Sequence, residues 1–325
     1  CPHSLVSPRR KPMLAPRRLL LLHVLAAACG GSENQQPVVD ARGDSGPIDA
    51  PGSTTTDPAL DGPATVAVSS MSIPGAATGR MLQATIFAPM MGTARPLVVI
   101  SPGFQMARTQ YASYAKHLAT WGFVAIVTDY AESGFFLDHA KLAADVPAVI
   151  TWAISQSALA VDGGKVATAG HSLGGKISVF AASLDPRIKA VVAWDPVDSN
   201  NPSVAPEKMA GITAAIAVVG EITNGSGGGM PCAPTADNFQ SFYAAAPSPA
   251  ISITVNGADH MDWVDDPSCG LCGFCSPGTA SPDLVRKVSR RLDVAWLRRH
   301  LLADTAMDVW LDSPPEAMSL VIARR

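Results

Sequence analysis

Charged side chains are scarce in this chain. Asp, Glu, Lys and Arg supply only 16% of its 325 residues, against 47% hydrophobic ones, so a full core can be buried, in one large domain. Basic residues are scarcer still beyond the N-terminus. Arg9, Arg10, Lys11, Arg17 and Arg18 all precede position 29, which leaves 19 basic against 27 acidic residues and a formal charge of −8. No basic stripe survives, and this argues against nucleic acid or anionic lipid as a partner. Internal repeats are missing. The glycine run around Gly225–Ser226–Gly227–Gly228–Gly229 lacks the lysine and following helix that a phosphate cradle needs.

The N-terminus has an organisation of its own. The five basic residues precede the apolar run Leu19 to Ala28, which ends at Cys29–Gly30–Gly31–Ser32. A basic stretch, a short apolar stretch and small residues predict an export signal over 1–28, too short to span a membrane as a mature helix. Cys29 after Leu-Ala-Ala-Ala resembles the lipobox of bacterial lipoproteins, although alanine replaces the usual leucine three residues before it. The resemblance implies lipidation at Cys29, with an ordinary signal peptide as the alternative. Met13 would open a shorter, better-formed signal, so residues 1–12 are expected to be a gene-start artefact. From position 29 to 64 the chain is rich in Asp, Gly, Pro, Ser and Thr, the composition of a disordered tether.

Cysteine is also sparse: six in all, four of them in the body of the chain, at Cys232, Cys269, Cys272 and Cys275. An exported protein keeps such a set as disulfides. The alternative is a metal site with four thiolates, and the spacing does not decide the connectivity.

Hydrophobic patterning predicts an α/β fold. Strands are expected at Thr65–Met71, Met81–Ala88, Leu97–Ile100, Phe123–Val127, Val166–Gly170, Ile188–Trp194, Ile212–Val219 and Ile251–Val255. Helices are expected over Gln110–Thr120, Asp138–Ile154, Lys176–Ser183 and Pro282–Leu302. Strands that alternate with helices argue for a mostly parallel sheet covered on both faces. Residues 195–211 are too few for an inserted lid domain, so the cleft should be open. The segment 304–325 carries no clear signal and reads as a C-terminal tail to a domain spanning 65–303.

One run stands out. Gly170–His171–Ser172–Leu173–Gly174 follows an apolar strand and precedes a helix. This is the G-x-S-x-G pattern of the α/β-hydrolase nucleophile elbow, where small residues let the chain turn sharply under a serine. A serine hydroxyl needs a histidine base and a carboxylate to orient that base. His260, in the loop after the strand ending at Val255, has the right place in chain order. Asp195, at the tip of the strand ending in Trp194, is assigned as the acid, with Asp198 and Glu221 as alternatives. The oxyanion hole is expected from the N–H groups of Leu173 and Phe104, the latter in the turn Ser101–Pro102–Gly103–Phe104. Met106, Trp194, Met261 and Trp263, with Phe104, are expected to line an apolar cleft.

The stretches Ser101–Phe104 and Trp121–Asp129 resemble bacterial cutinases and polyester (PET) hydrolases. Trp194–Asp195–Pro196–Val197–Asp198, Pro231–Cys232–Ala233–Pro234 and Asp259–Asp266 resemble plant chlorophyllases. Over Leu97 to Cys275 the resemblance implies an α/β-hydrolase with Ser172 as nucleophile, His260 as base and an acid in the 195–198 loop. Departures are visible: Leu173 stands where plant chlorophyllases have arginine, and Pro102 replaces the histidine of their His-Gly-Phe turn. The expected activity is hydrolysis of apolar or bulky esters, small-molecule or polymeric, by an exported monomer whose contact with membrane is its lipid anchor. Neither metal nor organic cofactor is required. A non-catalytic surface lipoprotein and an acyltransferase are the alternatives.

Overall fold

Leu97, Val98, Val99 and Ile100 are all shielded from solvent, yet they serve two different cores. Val98 and Ile100 join one buried cluster, Leu97 and Val99 the other. That alternation is the period-two geometry of a strand covered on both faces, and it is why an unbroken apolar run suits a central position.

The computed structural model describes residues 56–226, 231–268 and 272–325. The expected export signal, Cys29, the tether up to 55 and Cys269 lie outside the described residues. Among the described residues nine strands form one sheet: β1 (Val66–Pro74), β2 (Met81–Pro89), β3 (Arg95–Ser101), β4 (Val124–Thr128), β5 (Val161–His171), β6 (Ile188–Trp194), β7 (Ala215–Gly220), β8 (Ala250–Val255) and β9 (Leu320–Arg324). Their order is β1-β2-β4-β3-β5-β6-β7-β8-β9. Strands β3 to β8 run parallel, while β1, β2 and β9 are antiparallel to their neighbours. The helices are α1 (Ala112–Thr120), α2 (His139–Ser155), α3 (Leu173–Leu184), α4 (Phe239–Ala245), α5 (Pro282–Leu301) and α6 (Asp308–Asp312). Residues of α1 and α5 pack into one core, those of α2, α3 and α4 into the other. No helix among the described residues is long and apolar enough to cross a membrane.

Strand order reverses between β3 and β5. The crevice beyond the carboxyl ends of such a pair is where open α/β sheets bind ligands. It lies between the Ser101–Phe104 turn and Ser172. No helix or strand intervenes between β6 and β7, so this fold carries no large lid domain there.

Two segments behave differently from their composition. Residues 304–325 supply β9, which pairs with β8 from Val255↔Leu320 to Ile251↔Arg324. Five residues with one buried side chain are too short a signal, and backbone pairing decides the matter. Residues 57–62, compositionally part of the tether, lie against α1 and α5. Trp121 Nε1 donates to the Leu60 carbonyl at 2.8 Å, His117 Nε2 to that of Pro58 at 2.8 Å, and Arg291 pairs with Asp57 at 2.8 Å. Polar contacts hold this segment, and an apolar count does not register them.

Candidate functional site

Ser172 sits between β5 and α3 with φ 56° and ψ −120°. An ordinary side chain avoids this region, and the surrounding turn must hold it there. Two glycines make the turn possible. A β-carbon on Gly170 would come within 2.4 Å of the Gly174 carbonyl oxygen, and one on Gly174 within 2.0 Å of that of Ser101. The G-x-S-x-G spacing is therefore a packing requirement, with strand, helix and the turn after β3 in backbone contact.

His260 follows β8 in a loop tied by its own carboxylates. The Asp259 N–H donates to Asp262, the Met261 N–H to Asp259 and the Gly278 N–H to Asp259, each at 2.8 Å. Burial pushes the Asp262 carboxyl up to about 6. The fixed imidazole directs Nδ1 at Asp195 Oδ2, 2.6 Å away, and Nε2 at Ser172 Oγ, 2.9 Å away. With its proton on Nδ1, His260 donates to the carboxylate and leaves Nε2 free to accept from the hydroxyl. Asp195 is fully buried and also accepts from the Glu221 N–H at 3.2 Å. Burial pushes its carboxyl up, opposed by the hydrogen bond from His260.

The other two carboxylates have other partners. Asp198 pairs with the buried Lys176 at 3.2 Å and accepts from the N–H groups of Val204 and Ala205 and from Ser203 Oγ. It ties the 198–205 loop to α3 and does not meet His260. Glu221 is buried directly behind Asp195, and Oε2 accepts from the Asn224 N–H at 2.8 Å. Burial, with the charge of Asp195 adding to it, pushes the Glu221 carboxyl up to about 8.

A buried network links the pieces. His171 Nε2 faces the His260 carbonyl at 2.8 Å and must donate to it, so Nδ1 accepts from the Tyr111 hydroxyl at 3.0 Å. That hydroxyl oxygen accepts the Gly103 N–H at 3.0 Å. Burial and the neighbouring His260 hold His171 well below the usual imidazole range, and it stays neutral. Neither Tyr111 nor His171 carries a sequence signal for this role; only proximity reveals it.

A cleft of about 540 Å³ opens over Ser172. Phe104, Met106 and Met261, expected in the cleft, line it together with Leu173. Trp194 and Trp263 do not. Both are wholly buried, Trp194 donating to Asp293 and Trp263 to Ser289, each at 2.9 Å. They are core residues because strand parity and the docking of α5 turn them away from the mouth. Phe135 and Phe136 line the cleft instead, from the loop between β4 and α2, and Phe136 is fully exposed. A loop with two adjacent aromatics and no periodicity offers only its composition as a signal.

Cys232 and Cys275 also line the cleft and are joined by a disulfide. Cys272 is disulfide-bonded as well. Bonded sulfurs cannot serve as thiolate ligands, so the four-thiolate metal alternative falls.

The reversed strand order, the strained serine between β5 and α3, and the histidine after β8 define an α/β-hydrolase. The sequence model of the chlorophyllase family matches residues 60–316. The chain belongs to that family. It is 25% identical to Chlorophyllase-1 of Arabidopsis thaliana, over 68% of this chain and 76% of that protein. It is 26% identical to Cutinase 1 of Thermobifida cellulosilytica, over 71% and 78% respectively. With a bis(hydroxyethyl) terephthalate hydrolase of Streptomyces coelicolor it shares 26% identity, over 78% and 72%.

Proposed function

We propose that this protein is a serine carboxylesterase whose acyl-enzyme forms on Ser172. The observation that carries the reading is the continuous relay of Asp195, His260 and Ser172, with contacts of 2.6 and 2.9 Å. Kinship with ester-cleaving chlorophyllases and cutinases supports the same class of reaction. His260 takes the Ser172 proton as Oγ attacks the ester carbonyl. Asp195 stabilises the imidazolium that results, and His260 returns the proton to the leaving alkoxide. Water then enters by the same route and releases the acid. The N–H groups of Phe104 and Leu173, two residues that line the cleft, are the proposed donors to the oxyanion.

Apolar side chains including Phe104, Met106, Phe135, Phe136 and Met261 line the cleft around Ser172, with Ser199, Asn200 and Asn201 as polar members of the wall. This lining favours apolar or bulky esters over small polar ones. Disulfides favour an oxidising compartment and hence export; lipid anchoring at Cys29 remains part of the proposal.

The test is turnover of p-nitrophenyl esters from acetate to dodecanoate by the full chain and by Ser172→Ala. We expect activity that rises with acyl length and disappears in the variant, together with fluorophosphonate labelling of the wild type alone. Acetate turned over far better than octanoate would refute the apolar cleft. A folded protein that neither turns over esters nor takes the label would favour a binding role.

A further inference from the structure

Behind the proposed relay sits a carboxyl that the esterase mechanism does not use. Glu221 opens the loop after β7, is completely shielded from solvent, and has no hydrogen-bond partner on Oε1 among the described residues. A carboxylate oxygen of Glu221, one of Asp195 and a ring nitrogen of His260 all lie within 4.8 Å of one another. The backbone reinforces the proximity: the Glu221 N–H donates to Asp195 Oδ1 at 3.2 Å. The two acids thus approach one imidazole from the ends of adjacent strands, β6 and β7.

We propose that Glu221 is a positioning residue for His260, a second carboxyl that takes over orientation of the imidazole when the Asp195 carboxylate is removed. The inference rests on the serine-esterase reading. Two buried carboxyls this close do not both ionise readily, because neither water nor a cation offsets their repulsion. The ionisable groups that face the pair are His260 and Asp259, both from the loop after β8. Asp195 holds the negative charge through its hydrogen bond from His260, and Glu221 keeps its proton. Truncating Asp195 removes the opposing charge and clears the space before Nδ1. Glu221 then loses its proton to solvent, and Oε1 accepts the His260 Nδ1–H.

Asp195→Ala and Asp195→Ser test this in the full chain, each alone and with Glu221→Gln. The serine hydroxyl preserves an acceptor for the Glu221 N–H, so this variant carries the test if the alanine variant does not fold. We expect each truncation to keep at least about tenfold more kcat than its Glu221→Gln double. That residual rate should climb with pH as Glu221 ionises. Asp195→Asn, whose amide fills the gap and directs an N–H at the ring, should gain nothing from Glu221. Residual rates that Glu221→Gln leaves untouched at every pH would overturn the proposal. So would one common loss from Glu221→Gln in the wild type, Asp195→Asn and Asp195→Ala, since a purely structural residue behaves that way. Ser172→Ala separates the two levels: turnover that survives in it refutes the serine-esterase reading, and with it this inference. Loss of turnover in Ser172→Ala beside indifference to Glu221→Gln refutes this inference alone.

Discussion

Three carboxylates are sequence candidates to orient one histidine, and their partners show which of them meets it. Asp195 touches His260, Asp198 is committed to Lys176 and three donors of its own loop, and Glu221 stands behind. His260→Ala and Asp195→Asn should each cut kcat about 10⁴-fold, the asparagine variant because its amide enforces the wrong tautomer. Asp198→Asn should instead cost stability, about 3–5 kcal/mol, because the buried Lys176 loses its counter-charge. Steady-state kinetics beside thermal melts separate the two, and a larger kcat loss from Asp198→Asn would reverse the assignment. Ser172 and His260 were legible in the sequence because a nucleophile elbow is a local packing rule and a histidine after a strand is a local position. The carboxylate that meets His260 was legible only as a shortlist. Three side chains on two loops are equally polar in sequence, and partner geometry alone ranks them.

At the scale of elements, α5 shows how a well-predicted helix still conceals its chemistry. Ser281 caps it by accepting from the Leu284 N–H, and Pro282 occupies the first turn, both standard start signals. Its Asp293 is buried against β6, where Oδ1 accepts from Trp194 Nε1 at 2.9 Å and Oδ2 has no partner among the described residues. Burial pushes this carboxyl up to about 8. Its folded-state value thus lies above its unfolded one, so the protein loses stability as pH rises from the ordinary carboxylate range through about 8. Asp293→Asn keeps the acceptor for Trp194 and removes the ionisation. Its melting temperature should exceed the wild type's by more at pH 8 than at pH 5; an equal difference at both would contradict a protonated Asp293. Trp194 was misread for the same reason that Asp293 was overlooked. Each is explained by the other, and 99 residues separate them.

The whole molecule closes on itself through contacts far apart in the chain. The Cys232–Cys275 bond spans 43 residues and forms part of the cleft wall. By loop closure alone it restricts the unfolded chain by roughly 4 kcal/mol. Replacing both cysteines with serine should lower stability by up to that amount, and turnover of long-chain esters should fall more than that of acetate. Urea titration and the ester series measure the two effects; unchanged stability would mean that the bond constrains little beyond what packing already holds. A similar long reach joins Asp57 to Arg291 and Glu316, which anchors residues near the start of the described chain to its last quarter.

Composition and periodicity alone determined the α/β class, most of the strands and long helices, the elbow serine and its histidine. Each depends on neighbours within a turn or two of the chain, where sterics and alternation act directly. Tertiary structure alone decided which carboxylate meets His260, the disulfide partner of Cys232, the closing strand β9, the network from Gly103 through Tyr111 and His171 to His260, and the aromatics at the mouth. Those outcomes turn on which residues distant in sequence share a few ångströms of space. Hydrogen bonding and burial act through that distance, and a linear pattern does not record it.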